Sequence, residues 1–382
     1  MSKSTRPLYR PTVPANDIVV VGAGPVGLWT AIQLKKRYAR ANVIVYERHE
    51  AYQRSHVLRV DHWSLLLYGA FNRQPSEQAF YQDVTGKSVG RVRLAFSRSR
   101  YIRTNDLETA LRAYASREGI LTVNRKISSA SEVQALHPDC TAFVAADGAH
   151  SALRRELLGP DAVTRHDLQR VVELKFETVN EPRRLNWWQA WQLNRRLPYT
   201  VTEHIGRKKG ETVPVTLRLL IDKDTYDSLP EMSFKAPLPL GHPALPPSLR
   251  DSVAVYLESR ARMPEVAAVP ASFKLSKLPL QLYAAKNFAV LRGSRAWFLV
   301  GDAAMGVPYF RALNCGMLLG SRLAMLVGRN GGLAPKDLPR LVARFERRRR
   351  IHVAIEFGIA RVKDGVLNLF KSVRAAAASA QS

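Results

Sequence analysis

Gly22-Ala23-Gly24-Pro25-Val26-Gly27 is the segment of this 382-residue chain with the plainest chemical meaning. It stands between the β-branched run Asp17 to Val21 and a helical pattern from Val26 to Leu34. In that setting Gly22 permits a tight turn and Gly24 lets a pyrophosphate approach the backbone. Gly27 lets helix and sheet pack closely, and the N-terminal dipole of the helix favours phosphate. Glu47 ends a second strand, Asn42 to Glu47, about 20 residues past the last glycine, where its carboxylate is suited to accept hydrogen bonds from an adenosine ribose. The spacing says dinucleotide without saying which one.

Other chemistries find little support. The two cysteines, Cys140 and Cys315, lie far apart, which excludes a disulfide framework and a Cys-rich zinc site. The nine histidines are scattered without an H-x-x-x-H pair. No metal site is expected. His56, His62 and His150 are candidate active-site residues, with an ordinary core or surface role as the alternative.

The elements that position these residues follow from periodicity. Strand, glycine turn, helix and strand over residues 17–47 make a βαβ unit. Asp106 to Glu118 reads as a helix, with Leu107, Ala110, Leu111 and Tyr114 on one face. Leu121 to Val123 and Thr141 to Ala146 read as strands. Between about 165 and 290 the pattern turns to alternation, as in Arg170 to Glu177 and Thr212 to Ile221, which suggests antiparallel strands. Ala296 to Val300 is again a buried strand, so the sheet-rich part is an insertion. Residues 311–329 and 337–374 read as helices. The expected organisation is a flexible basic arm over 1–16, a discontinuous nucleotide-binding domain over 17–164 and 291–330, a sheet domain over 165–290 and a basic helical region over 331–382. The fold class is α/β, a Rossmann-like parallel sheet with helices, carrying a mostly antiparallel β-sheet insertion and C-terminal helices.

Two further motifs, Ala146-Asp147-Gly148-Ala149-His150-Ser151-Ala152-Leu153-Arg154 and Val300-Gly301-Asp302-Ala303-Ala304, stand in order after the first. Together the three resemble the signatures of the class A flavoprotein (FAD-dependent) monooxygenases over about residues 17–330. The resemblance implies that Gly22, Gly24, Pro25, Val26, Gly27 and Glu47 hold the AMP half of FAD. It implies that Gly301 and Asp302 meet the ribityl chain and pyrophosphate, and that Asp147 and Arg154 serve FAD and the nicotinamide cofactor. A finer resemblance, from Tyr46-Glu47-Arg48 through Arg54-Ser55-His56-Val57-Leu58, is to the flavin domain of the MICAL proteins. There the matched arginine, here Arg54, reaches the FAD pyrophosphate, a task that suits the bidentate guanidinium; Arg48 belongs to the same segment. Nothing in that match indicates actin as a substrate.

The chain departs from the family after Gly301-Asp302. Pro308, Asn314 and Gly316 can be matched, but Arg311 and Leu313 replace glycines of the loop against the flavin. Those side chains are expected to narrow the approach, and Arg311 could instead supply positive charge to the flavin. The implied activity is NAD(P)H- and O2-dependent hydroxylation of an organic substrate through a flavin hydroperoxide. A flavin-dependent oxidase or reductase without oxygen insertion, and a non-catalytic basic binding or effector protein on the same fold, are the alternatives.

Charge is the remaining feature. With 58 Lys+Arg against 32 Asp+Glu the chain carries a formal +26. Trp187, Trp188 and Trp191, flanked by Arg183, Arg184, Arg195 and Arg196, are candidates for a substrate wall or for core packing. No recognised nucleic-acid motif accompanies them, so nucleic acid is not an expected partner; a small organic substrate is. Residues 331–382 hold 11 Lys+Arg and 4 Asp+Glu, and Arg347 to Arg350 precede an apolar series from Ile351 to Val373. That pattern fits a helix on an anionic membrane or one packed on the flavin domain. With no apolar run long enough to cross a bilayer, a cytoplasmic protein with peripheral membrane association is expected.

Overall fold

The computed structural model describes residues 18–50, 57–61, 64–65, 75–85, 99–180, 182–183, 185–206, 208, 210–261, 267–308 and 311–379. Arg54, His56 and His62 lie outside them. The chain divides into two compact units, Met1–Arg165 with Tyr283–Glu356, and His166–Leu282 with Phe357–Ser382.

The first unit is built on a six-stranded sheet. Its strands are β1 (Ile18–Val21), β2 (Val43–Glu47), β5 (Leu121–Asn124), β6 (Ala142–Ala145), β11 (Ala289–Arg292) and β12 (Arg295–Leu299), in the order β11-β12-β6-β1-β2-β5. All neighbours run parallel except β11, which pairs antiparallel with β12 at one edge. β1 and β6 are buried at every residue, as expected of parallel strands covered on both faces. A separate hairpin pairs β3 (Val57–Asp61) with β4 (Ser99–Arg103).

Helices α1 (Pro25–Arg37), α2 (Pro75–Thr85), α3 (Thr104–Arg117), α4 (Ala130–Leu136) and α5 (Ala152–Leu158) belong to this unit. Trp29 of α1 is fully buried and lies 6.0 Å from Phe80 of α2, which stacks on Tyr114 of α3 at 5.0 Å. Helix α9 (Ala312–Arg329) packs on α1 as well. The Trp29 indole donates to the Met317 carbonyl at 3.1 Å and to Ser321 Oγ at 2.8 Å. The two helices approach closely because α9 carries glycine: a Cβ on Gly320 would stand 2.1 Å from Thr30 Oγ1.

The second unit holds β7 (Val163–Thr178), β8 (Thr200–Ile205), β9 (Val213–Ile221) and β10 (Lys274–Ala285), ordered β10-β7-β9-β8. β7 with β9, and β8 with β9, are antiparallel. β9 alternates buried and half-buried over Val213 to Arg218, the period-2 signature of a sheet with one face packed. That face meets α8 (Pro247–Ala261) through Leu249, Val253 and Tyr256. Two shorter helices, α6 (Trp187–Arg195) and α7 (Lys223–Ser228), complete the unit. Trp188 and Trp191 lie on α6, stacked on each other at 4.8 Å and exposed at 47% and 38%. The chain ends in α10 (Leu338–Ser379), a 42-residue helix.

The observed α/β architecture, a parallel sheet plus an inserted antiparallel one, is the expected fold class.

Candidate nucleotide-binding site

Three adjacent parallel strands, β12, β6 and β1, each end in one of the sequence motifs. Val21, Ala145 and Leu299 stand side by side in register. Gly22, Asp147 and Gly301 follow them within two residues. Neighbouring strands lie about 4.8 Å apart, so three segments far apart in sequence converge on one carboxyl edge of the sheet, where open α/β sheets bind their ligands.

The glycines there divide by what surrounds them. Gly22 has φ +108°, in the left-handed region that favours glycine. A Cβ on it would fall 2.3 Å from the Ala146 carbonyl oxygen. Gly27 is as tight, with a Cβ 1.9 Å from the Gly22 carbonyl. Gly24 is the opposite: a Cβ there would meet nothing within 4 Å. The first two close the turn, whereas the third faces open space. Gly24 is also the N-cap of α1, without a side-chain cap, and Pro25 follows as the first helical residue. Proline brings no N–H and there is no acid in the first turn, so the positive pole of α1 is left uncapped by its own side chains.

Glu47 is fixed beside this pole. Its carboxylate accepts from the Ala23 N–H at 2.8 Å and from the His49 N–H at 3.0 Å. One lone pair on each oxygen is thereby used, and each oxygen keeps capacity for a hydroxyl donor. Arg48, next in sequence, is exposed.

The second motif contributes an anion and an anchor. Asp147 accepts from the Leu153 N–H through Oδ2 at 3.3 Å, while its Oδ1 is buried with no partner among the described residues. Arg154 is 4% exposed. Its guanidinium donates to the carbonyls of Asp302 (3.2 Å), Ala303 (2.9 Å) and Ala149 (2.7 Å). It therefore ties the second motif to the third through main-chain oxygens. Tyr283 supports the same turn, donating its hydroxyl to the Asp302 carbonyl at 2.8 Å.

The third motif turns at Gly301, φ +60°. Val26 is the packing point: a Cβ on Gly301 would come within 3.0 Å of its side chain, and one on Gly316 within 2.7 Å. The start of α1, the Gly-Asp turn and the start of α9 therefore meet on one valine. Asp302 is half-buried in that turn, and Pro308 is half-buried further on. Asn314 is 5% exposed and engaged by the protein itself, accepting from the Asp61 N–H (2.8 Å) and Ser64 Oγ (2.7 Å) and donating to the Arg59 carbonyl (2.8 Å). It pins α9 to β3.

The two residues that replace loop glycines are also taken up internally. Leu313 is buried. Arg311 forms a two-pronged ion pair with Glu356 of α10, with both contacts at 2.6 Å. Burial works to raise the Glu356 carboxyl, but hydrogen bonds and charge from Arg311 outweigh it and hold the group below its usual range. The partner pushes the Arg311 guanidinium up in turn. Arg311 is thus a neutralised ion-pair member, which removes the alternative that it offers free positive charge to a flavin. Cys315, one turn on, has its thiol pushed up by burial and by Glu356, which suits a packed side chain and not a nucleophile. Sequence reasoning missed the Glu356 and Tyr283 contacts, because neither stands in a motif and both arrive from distant elements.

No protein-family model and no curated protein matches the sequence. Solved structures do match by shape. CtdE, solved in complex with FAD, aligns with a TM-score of 0.60 at 14% identity, covering 91% of this chain and 93% of its own. An oxygenase of 2-methyl-3-hydroxypyridine-5-carboxylic acid aligns at 0.54 and 14%, covering 94% and 92%. The Diels-Alderase PyrE3 aligns at 0.54 and 18%, covering 94% and 77%. The likeness is one of fold, and it extends over nearly the whole chain.

Proposed function

We propose that this protein is an FAD-dependent oxidoreductase, and specifically a monooxygenase that uses NAD(P)H and O2 to hydroxylate a small organic substrate. The observation that carries the reading is the cradle at the sheet edge: an uncapped helix N-terminus behind open space at Gly24, a carboxylate fixed at Glu47, and an orphaned buried oxygen on Asp147. A buried carboxylate oxygen without a donor costs free energy unless a ligand hydroxyl or amide supplies one. These residues fit an extended dinucleotide.

In this reading the N–H groups of Gly24, Val26 and Gly27 receive the pyrophosphate and Glu47 accepts the adenosine ribose hydroxyls. Asp302 and Asp147 accept from the ribityl side. Arg154 and Tyr283 act one step back, by holding the carbonyls of the turn that presents Asp302. The likeness of residues 46–58 to the MICAL flavin domain assigns Arg54 to the pyrophosphate. When bound, FAD supplies two-electron reduction and reaction with oxygen, and the protein's part is to orient the substrate and keep water out. That CtdE was solved with FAD, and that another neighbour is an oxygenase, supports this choice over a nicotinamide dinucleotide as the resident group.

The test is turnover by the FAD-loaded protein. NADH or NADPH should bleach the flavin anaerobically, and air should restore its colour with consumption of O2. Failure of both nicotinamides to reduce a bound flavin would remove the monooxygenase assignment, and a protein that binds no flavin would remove the whole reading.

A further inference from the structure

We infer that α10 is a docking ridge for an anionic lipid surface. Ile351, Ile355, Val362, Val366 and Leu369 are exposed at 50%, 54%, 67%, 47% and 64%. At 100° per residue these five positions fall within an arc of about 60°, and at 1.5 Å per residue they extend along about 27 Å. Single exposed aliphatics are ordinary, but five in one straight stripe are a contiguous apolar surface.

The side of the helix that packs lies about 100° round from the stripe. Leu338, Leu341, Phe345 and Ala360 are buried, and His352 is 8% exposed. Every acid of α10 is engaged. Glu346 accepts from the Ala289 N–H at 2.7 Å and pairs with Arg349 at 2.7 Å. Glu356 holds Arg311, and Asp364 accepts from Gln169 at 2.7 Å. The stripe is therefore bordered by Arg347, Arg348 and Arg361, all exposed, without an exposed acid between them.

That charge pattern chooses the occupant. A second copy of this helix would set arginine against arginine along the seam, since no carboxylate on this face can answer it. A membrane rich in acidic lipid answers the arginines with phosphate and carboxylate, and it needs no shape-matched groove to receive a convex ridge. Aliphatic side chains enter the headgroup boundary while the arginines remain at its level. The formal +26 of the whole chain draws the protein to the same surface over distances set by ionic strength. This inference stands on α10 alone and does not rest on the flavin reading.

The experiment is co-sedimentation of the full-length protein with vesicles of phosphatidylcholine, alone or mixed with phosphatidylserine. The wild type is expected to bind the serine-containing vesicles only, and to lose at least about tenfold in partitioning between roughly 0.05 and 0.5 M salt. The double variant Val362→Asp/Leu369→Asp should lose about tenfold or more at low salt, because it puts carboxylates on the stripe without touching a buried contact. Leu121→Asp, at an exposed aliphatic on β5, should bind like the wild type. Unchanged melting temperature confirms that the variants fold. Absence of binding to acidic vesicles overturns the inference, and so does binding that the double variant retains. Micromolar self-association abolished by Leu369→Asp, with no vesicle binding, overturns it in favour of a second copy.

Discussion

Gly24→Asp separates a cofactor cradle from an ordinary structural glycine, because the two roles predict effects of opposite sign. Gly24 has φ −64° and ψ 170°, which any residue adopts, and a Cβ there meets nothing within 4 Å. The fold should accept aspartate without strain. It should even gain, since aspartate caps a helix a few tenths of a kcal/mol better than glycine and places negative charge at an uncapped positive pole, adding about 0.3–1 kcal/mol. The expected gain of about 0.5–1 kcal/mol raises the melting temperature of the cofactor-free protein by about 1 °C. FAD binding moves the other way. The new carboxylate takes the N–H groups that would meet the pyrophosphate and sets a charge near two phosphate charges. At about 4 Å and an effective dielectric of about 20, each charge pair is worth about 4 kcal/mol before screening. Taking about 3 kcal/mol as the net penalty, affinity falls on the order of 100-fold. Apoprotein melting and fluorescence titration with FAD read the two effects separately. Full flavin occupancy in Gly24→Asp, or a cofactor-free protein that melts more than about 5 °C lower, would refute the reasoning.

Other substitutions test neighbouring parts of the account. Glu47→Ala removes the acceptor of the Ala23 and His49 N–H groups and, in the proposed complex, of the ribose; a loss of about tenfold or more in FAD affinity is expected by titration. Gly320→Ala places a methyl 2.1 Å from Thr30 Oγ1 where α1 meets α9, so denaturant unfolding should show a loss of about 1–3 kcal/mol. Glu356→Gln leaves the Arg311 guanidinium without its counter-charge and should cost about 3–5 kcal/mol at pH 7. The folded-state carboxyl of Glu356 is depressed, so its contribution is fully present above the unfolded value of 4.5 and is lost as pH falls through the folded value. Melting curves from pH 7 down to pH 3 should therefore fall more steeply for the wild type than for Glu356→Gln; parallel curves would contradict the ion-pair assignment.

The fold was most legible where one local signal fixed both element and connection. The run Ile18 to Val21, the glycine turn and the next strand mark a buried parallel unit, and the structure has it. Periodicity also located Thr104–Arg117 to within a residue or two, and the long alternation in Val213–Ile221. Three motifs on three strands can be read from sequence, but that β12, β6 and β1 are neighbours is a property of strand order, which no local pattern contains. What went unread is long-range pairing. The resemblance matches Arg154 to a cofactor site, and what spacing could not report is that its two terminal nitrogens donate to the carbonyls of residues 149, 302 and 303. The pairing of Arg311 could not be read, because its counter-ion, Glu356, lies 45 residues away on another helix. Asn314 is used by Arg59, Asp61 and Ser64, contacts across 250 to 255 positions. Spacing reports which residues share a strand or a helix face; it does not report which side chain a buried polar group will choose.

The central claim is that the edge shared by β1, β6 and β12 holds one FAD. Titration of the purified, cofactor-free protein with FAD, FMN and NAD+ tests it most directly. One FAD per chain with a shifted visible spectrum, together with much weaker binding of FMN, which lacks the adenosine half that Glu47 would hold, is the predicted result. Binding of NAD+ in place of FAD, or equal affinity for FAD and FMN, would contradict it.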